Sequence, residues 1–268
     1  MFALKYLFKS VYRILKSSMG RHLLLLMAKY GNVPRYSQRK VSFLKYEFLV
    51  PDCWSFLFQF QEIYVEQYYK FETKEKTPVI FDCGANIGTS CLYFSSLYPA
   101  SKIIAFEADP NIASILKSNL DKNNIKNVDI LNKAVWIDNN GIEFSIEGAD
   151  GASIFGNGKK VKVESVRLRD LLLQTPKIDM LKMDIEGAES AVLKDCSDAL
   201  TNVENIFIEY HSFPGQQQEL NEILNVLSKN NFRYYIDSAQ GRQSPLVNHF
   251  YRDNKIMDLQ LNIFGYKN

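Results

Sequence analysis

Cysteine is scarce in this 268-residue chain, and the four present, Cys53, Cys83, Cys91 and Cys196, form no CxxC pair and no metal-ligand grouping. That spacing excludes a zinc module. Cys83 falls in a predicted strand and Cys91 on the apolar face of the next helix, so both read as small core residues of a reducing compartment. Long apolar runs are missing too. The longest near the start, Leu23 to Ala28, falls far short of the roughly eighteen residues a membrane span needs. Basic residues recur through the start and no small-residue cleavage site follows, so a secretory signal is not expected. The expected location is the cytoplasm. Acidic residues are absent before Glu47, while ten basic ones lie there; the remainder carries 22 basic against 30 acidic residues, net −8. This asymmetry describes a basic appendage on an acidic body. No internal repeat or low-complexity tract appears. With 46% hydrophobic content, the chain can bury one large domain, alone or with an appendage.

A dinucleotide fingerprint, Gly-x-Gly-x-x-Gly, is also absent. In its place an apolar run, Val79 to Phe81, ends in Asp82 and breaks into Gly84-Ala85-Asn86-Ile87-Gly88. A second run, Ile103 to Phe106, ends in Glu107. Strand, glycine turn, helix, strand and acid make the front half of a nucleoside-binding βαβ unit. Gly84 and Gly88 allow a tight turn and close approach to a ligand, and Glu107 is placed to accept hydrogen bonds from two ribose hydroxyls. Asp82 would repel a pyrophosphate but suits a cationic ligand, such as the sulfonium and amino groups of S-adenosylmethionine.

The organisation divides into three parts. Residues 1–40 read as a basic amphipathic helical appendage of one or two helices. Leu4, Leu7, Phe8, Val11, Ile14 and Leu15 recur at helical spacing between Lys5, Lys9, Arg13 and Lys16. This segment either lies on an anionic membrane, docks a partner, or packs on the body's acidic surface. Residues 41–77 form an N-terminal cap subdomain, with a strand at 41–50 and an aromatic-rich helix at 52–71 that caps the sheet or lines a substrate wall. Residues 78–268 form a Rossmann-like domain. Strand cores are expected at 79–83, 102–107, 127–132, 178–183 and 204–210, with helices at 88–98, 110–122, 187–198 and 215–230. Residues 141–146 and 160–166 read as an edge hairpin. Residues 232–236 and 259–264 read as two strands that pair antiparallel at the sheet edge. The fold class is therefore α/β: a doubly wound, mostly parallel sheet of about seven strands with a C-terminal antiparallel hairpin, the class I methyltransferase architecture.

In such sheets ligands bind at the carboxyl ends of the strands, near the point where strand order reverses. Those ends carry Asp82, Gly84, Asn86 and Gly88; Glu107, Ala108 and Asp109; Asn132, Lys133 and Ala134; Asp184, Glu186, Gly187 and Glu189; and Glu209, Tyr210 and His211. So many carboxylates on one edge repel one another unless a cation sits among them. A sulfonium cofactor, with or without a divalent metal, would supply it.

Asp82-Cys83-Gly84-Ala85-Asn86-Ile87-Gly88, Phe106-Glu107-Ala108-Asp109-Pro110 and Lys182-Met183-Asp184-Ile185-Glu186-Gly187-Ala188-Glu189 resemble the FkbM-type methyltransferases. The resemblance runs from about Val41 to His211, and the Asp-x-Glu-Gly-x-Glu block is its most specific part. It implies a class I fold, S-adenosylmethionine as methyl donor and, usually, O-methylation of a hydroxyl on a sugar or natural product, often in polysaccharide or glycolipid biosynthesis. The family usually shows Glu-Pro where this chain has Glu107-Ala108; the ribose contact, made by the carboxylate, should survive.

The expected chemistry is in-line displacement of the sulfonium methyl by a substrate oxygen, which requires alignment and removal of one proton. His211 is the candidate base, because an unperturbed imidazole titrates near neutrality; the alternative is a histidine without a chemical role. Asp184 and Glu209 either bind the acceptor hydroxyl or hold Mg²⁺ with water. Glu186, Glu189 and Tyr210 are the candidate substrate contacts. The candidate cofactor contacts are Asp82, Gly84, Asn86, Gly88, Glu107, Ala108, Asn132, Ala134, Asp184 and Ser153, the last in a segment that either closes over the cofactor or is an ordinary loop. Two rivals remain. A nucleic-acid methyltransferase would fit the basic start, but Asp184-Ile185-Glu186-Gly187 replaces the Asn/Asp-Pro-Pro-aromatic signature and the body is acidic, so no specific nucleic acid is expected. A non-catalytic module would keep the nucleoside pocket without transfer. The acceptor itself, a small molecule or a glycan or glycolipid precursor reached through peripheral membrane contact by residues 1–40, is not named by any motif, and neither is the oligomeric state.

Overall fold

The computed structural model describes residues 14–146, 159–238, 242–250 and 257–267. Helix α1 (Ser18–Tyr30) comes first, then strands β1 (Arg39–Phe43) and β2 (Tyr46–Val50) and helix α2 (Cys53–Phe60), which runs on as a π-helical turn, Gln61–Val65. The alternating region follows: β3 (Val79–Cys83), α3 (Thr89–Leu97), β4 (Lys102–Phe106), α4 (Pro110–Lys122) and β5 (Val128–Leu131). Next come four short strands, β6 (Ala134–Trp136), β7 (Ile142–Ile146), β8 (Lys159–Val163) and β9 (Ser165–Arg167), and helix α5 (Leu168–Gln174). The chain then forms β10 (Ile178–Met183), α6 (Glu189–Asp195), β11 (Val203–Ser212), α7 (Leu220–Lys229), β12 (Arg233–Asp237) and β13 (Leu259–Tyr266).

Seven strands pair in the order β12-β13-β11-β10-β3-β4-β5. β5, β4, β3, β10 and β11 are parallel, and β13 runs antiparallel to both β11 and β12. All six residues of β10 are buried, as expected of a central strand covered on both faces. Alternate side chains divide between two apolar layers. Ile80 joins Cys91, Leu92 and Phe94 of α3, Leu116 and Leu120 of α4, and the N-terminal elements. Phe81 and Cys83 face α5, α6 and α7 through Leu172, Val192 and Leu227. The order reverses between β3 and β10, which makes their carboxyl ends the switch point.

The N-terminal aromatic series is core. Phe43, Phe56, Phe60, Tyr64 and Tyr69 share one cluster with Leu23, Leu26 and Tyr30 of α1, and Phe60 stacks on Tyr64 at 4.9 Å between centroids. Asn119 of α4 clamps the hairpin to the body: its Oδ1 accepts from Leu49 N at 2.7 Å, and its Nδ2 donates to Leu49 O and Ile87 O.

Several expectations change. The segment 41–50 is a hairpin that starts at Arg39, with Leu44 in the left-handed region at φ 50°. The helix expected to run to 71 ends in the π turn at Val65, and Gln67 at φ 58° redirects the chain. The runs at 141–146 and 160–166 do pair antiparallel, but apart from the main sheet. β7 and β8 form a separate two-stranded ribbon, while β6 and β9 pair in parallel; α5 was not expected at all. β12 and β13 do pair antiparallel at one edge of the sheet, as expected, with β12 outermost and β13 next to β11. Arg39 and Lys40, expected in the helical appendage, open β1, and residues 1–13 lie outside the described residues. All four cysteines are free and buried, as expected for Cys83 and Cys91. Among the described residues, no helix is long and apolar enough to cross a membrane.

Candidate active site

The turn after β3 is shaped by contact with β10. Gly84 has φ 82°, and a Cβ there would stand 1.7 Å from the carbonyl oxygen of Asp184. Its N–H and that of Ala85 both donate to Phe106 O. Gly88, at φ 94°, caps α3, and a Cβ would meet Leu116 Cδ1 at 2.7 Å. Both glycines therefore allow close packing within the protein, and Gly84 also lines the cleft beside Lys182. Asn86 occupies the left-handed region at φ 48° without being glycine. Its N–H donates to Glu107 Oε2 at 2.9 Å, and Asp109 N–H donates to Glu107 Oε1 at 2.9 Å. The carboxylate is thus fixed at the tip of β4. Its recessed position raises its pKa to about 7, against the lowering effect of those two N–H groups.

Around that carboxylate the other candidate cofactor residues support the loop. Asn132 Nδ2 donates to the carbonyls of Glu107 and Ala108. Ala134 is buried with Val163, and Ala108 packs against them. Ser153 lies outside the described residues. Asp82 is fully buried; its Oδ2 accepts from Ser90 Oγ at 2.5 Å and from Cys91 Sγ.

Lys182 is the residue that sequence reasoning passed over. Its buried ammonium lies 3.5 Å from Asp82 Oδ1 and 3.4 Å from Asp184 Oδ2, donates to Gly84 O at 2.5 Å, and faces the Tyr69 ring. Burial opposes its charge, yet Asp184 and Asp82 more than compensate and raise its pKa. The acidic edge therefore carries its own cation. A lysine in an otherwise apolar strand (Ile178-Asp179-Met180-Leu181-Lys182-Met183) was the available signal. A cleft here is lined by Gln59, Glu62, Tyr69, Asn86, Asp184 and Glu209. The π turn after α2 thus supplies one wall of this cleft through Glu62.

The edge of β10 and β11 holds the acid–histidine group. Glu186 (φ 54°) and Gly187 (φ 101°) make a left-handed turn after β10. Glu189, in the first turn of α6, accepts from the N–H groups of Ile185 and Gly187 and sits 3.1 Å from His211 Nδ1. His211 Nε2 lies 3.5 Å from Glu209 Oε1 and 3.7 Å from Glu186 Oε2. The His211 and Glu189 side chains are 3% and 1% exposed, whereas Glu186 is 35% exposed. Burial disfavours the imidazolium, but the charges of Glu186 and Glu189 prevail and raise the His211 pKa well above its ordinary value. Recession raises Glu186 to about 8, with His211 opposing; burial and Asp184 raise Glu209. The raised pKa favours the imidazolium over the neutral ring that a general base needs. Glu189 is engaged in holding a turn and an imidazole. Tyr210 lies on the opposite face of β11, among the residues that pack on α6 and α7, and its hydroxyl accepts from Glu219 N–H. Neither contributes to the cleft wall. The remaining histidines are remote in role: His22 Nε2 accepts from Leu44 N–H, and His249 contacts Leu246 O.

A parallel sheet that reverses at β3 and β10, ends in an antiparallel strand, and presents a glycine turn beside a fixed acid at the next strand tip defines a class I S-adenosylmethionine-dependent methyltransferase. A family model described as the methyltransferase FkbM domain matches residues 82–234, more than half of the chain, and the chain belongs to that family. Methyltransferase sdnD of Sordaria araneosa is 28% identical over 207 residues, 62% of this chain and 79% of its own. The 2-O-methyltransferase NoeI of Sinorhizobium fredii is 29% identical over 155 residues, 50% of this chain and 63% of its own. The hexuronic acid methyltransferase AglP of Haloferax volcanii is 28% identical over 147 residues, 53% of this chain and 59% of its own.

Proposed function

We propose that this methyltransferase transfers the methyl group of S-adenosylmethionine to a hydroxyl of a sugar or of a glycan or glycolipid precursor. The observation that carries the reading is the pairing of a Glu107-bearing cofactor half with an acidic acceptor edge, Asp184, Glu186 and Glu209, in a chain similar to a 2-O-methyltransferase and a hexuronic acid methyltransferase. Glu107 takes the ribose hydroxyls, and Asp82, acting through Ser90 and Lys182, shapes the turn beneath the cofactor. Asp184 and Glu209 receive the acceptor hydroxyl. The carboxylates there orient the nucleophile by accepting hydrogen bonds, which leaves alignment and proton removal as the enzyme's contribution. Mg²⁺, one of the two alternatives the sequence offered for Asp184 and Glu209, would bind on this same edge.

The test is to incubate the protein with S-adenosylmethionine and a panel of uronic acids, neutral hexosides and their nucleotide- and lipid-linked forms. S-adenosylhomocysteine release with a methylated product that survives mild alkali supports an ether at a hydroxyl. An alkali-labile product marks a methyl ester and refutes O-methylation of a hydroxyl. A lipid-linked acceptor would suit the basic residues before Glu47, and the exposed Leu24, Leu25 and Met27 on the outer side of α1 extend that surface. We place this chain's membrane contact there and its site of action on the cytoplasmic face.

A further inference from the structure

We propose that Asp184, Glu186 and His211 form a binding site for one divalent transition-metal cation at the carboxyl edge of β10 and β11. One ligand atom from each residue lies within 4.8 Å of the others. Ligand atoms held at about 2.0–2.2 Å from a shared ion lie at most about 4.4 Å apart. Only a small inward movement of side chains is therefore required, and Glu186, the most exposed of the cluster, has room to make it.

The histidine supplies an independent argument. His211 is deeply buried, and its Nδ1 faces Glu189, a carboxylate itself anchored by the N–H groups of Ile185 and Gly187. In the neutral ring that partner fixes the orientation and holds the proton on Nδ1, which turns the Nε2 lone pair towards the cluster. This is the outer arrangement that orients imidazoles on metals. The nearest oxygens to Nε2 are those of Glu209 and Glu186, at 3.5 and 3.7 Å. Both exceed ordinary hydrogen-bond length, and both suit neighbouring ligands on one ion.

Charge points the same way. Asp82, Asp184, Glu186, Glu189 and Glu209 face Lys182 and His211 across this edge. With the imidazole neutral and every carboxylate ionised, five negative charges meet one ammonium, and a dication halves the excess. Two carboxylates and an imidazole favour Mn²⁺ or Zn²⁺ over Mg²⁺, which prefers oxygen ligands. An acceptor hydroxyl completing the ion's shell would lose its proton more readily. That role rests on the proposed O-methylation, whereas binding of the cation does not.

The experiment uses the full chain after chelator treatment, titrated with Mn²⁺ and followed by the electron paramagnetic resonance signal of free Mn²⁺, with Zn²⁺ as competitor. One Mn²⁺ per chain is expected, with Kd raised at least tenfold in Glu186→Gln and in Asp184→Asn. Circular dichroism of both variants should match the parent. Absence of saturable binding of either ion, or unchanged binding in both variants, overturns the proposal. S-adenosylmethionine is titrated in parallel. Cofactor binding without Mn²⁺ binding overturns the cation site alone; Mn²⁺ binding without cofactor binding supports the site and counts against methyl transfer.

Discussion

Lowering the pH from 8 to 6 should weaken S-adenosylmethionine binding about tenfold, and Glu107 should account for the change. In the proposed binding mode, ribose hydroxyls donate to the ionised carboxylate. A pKa of about 7 leaves Glu107 almost wholly ionised at pH 8 and about one-tenth ionised at pH 6. Binding at pH 6 must then drive deprotonation at a cost of about 1.4 kcal/mol, the equivalent of one pH unit. The sign follows from the raised pKa: affinity is full above about 7 and is lost as pH falls through it. Calorimetric titrations at pH 6, 7 and 8 measure the slope. Glu107→Gln keeps the shape of the side chain and removes the titration. It should bind about 1.5–3 kcal/mol more weakly at pH 8, as expected for a lost charge-assisted hydrogen bond, with a flat profile between pH 6 and 8. A flat profile in the parent chain, or full affinity in the variant, would refute the placement of the ribose on Glu107.

Lys182→Met should destabilise the fold by about 3–5 kcal/mol in urea denaturation, because Asp82 would remain buried without its cation; a loss below about 1 kcal/mol would show the ammonium to be dispensable. Gly84→Ala should cost more than the usual 1–3 kcal/mol of an overpacked site, since the new methyl meets a backbone carbonyl; thermal unfolding of the purified variant decides this. Asn119→Ala leaves Leu49 and Ile87 backbone groups without their partner and should cost about 1–3 kcal/mol, again read by urea denaturation. Removing residues 1–13 should weaken binding to anionic vesicles while leaving calorimetric cofactor binding unchanged; equal vesicle binding would dismiss membrane contact through that segment. A cut at residue 40 is the wrong test, because Leu23, Leu26 and Tyr30 belong to the core.

The switch point was legible because its signals are local. Val79–Cys83 and Ile178–Met183 stand out as apolar runs that stop at glycine and acid, and the structure keeps both spans. Asp109-Pro110 announces a helix start, and Asp109 does cap α4. What sequence could not show is which acids share a partner. Lys182, 100 residues from Asp82, becomes its counter-ion only through the β3–β10 register. Alternation along β11 sends Glu209 and His211 to one face and Tyr210 to the other, and a residue list of strand ends hides that difference. The hairpin at 39–50 was missed because its turn uses Leu44, a residue with no turn preference, in the left-handed region.

The place of β13 has a consequence for biosynthesis. It comes last along the sheet-forming chain yet fills the gap between β11 and β12, pairing with eight residues of β11. While a ribosome is still translating residues 213–258, the outer edge of β11 has no neighbour and carries a nearly unbroken row of buried-type side chains from Val203 to Ser212. Such an edge is a template for strand addition by another nascent chain. The interval before residue 266 emerges is therefore when this protein most needs chaperone cover, and a stalled or truncated product ending near residue 258 should aggregate rather than persist as a smaller enzyme.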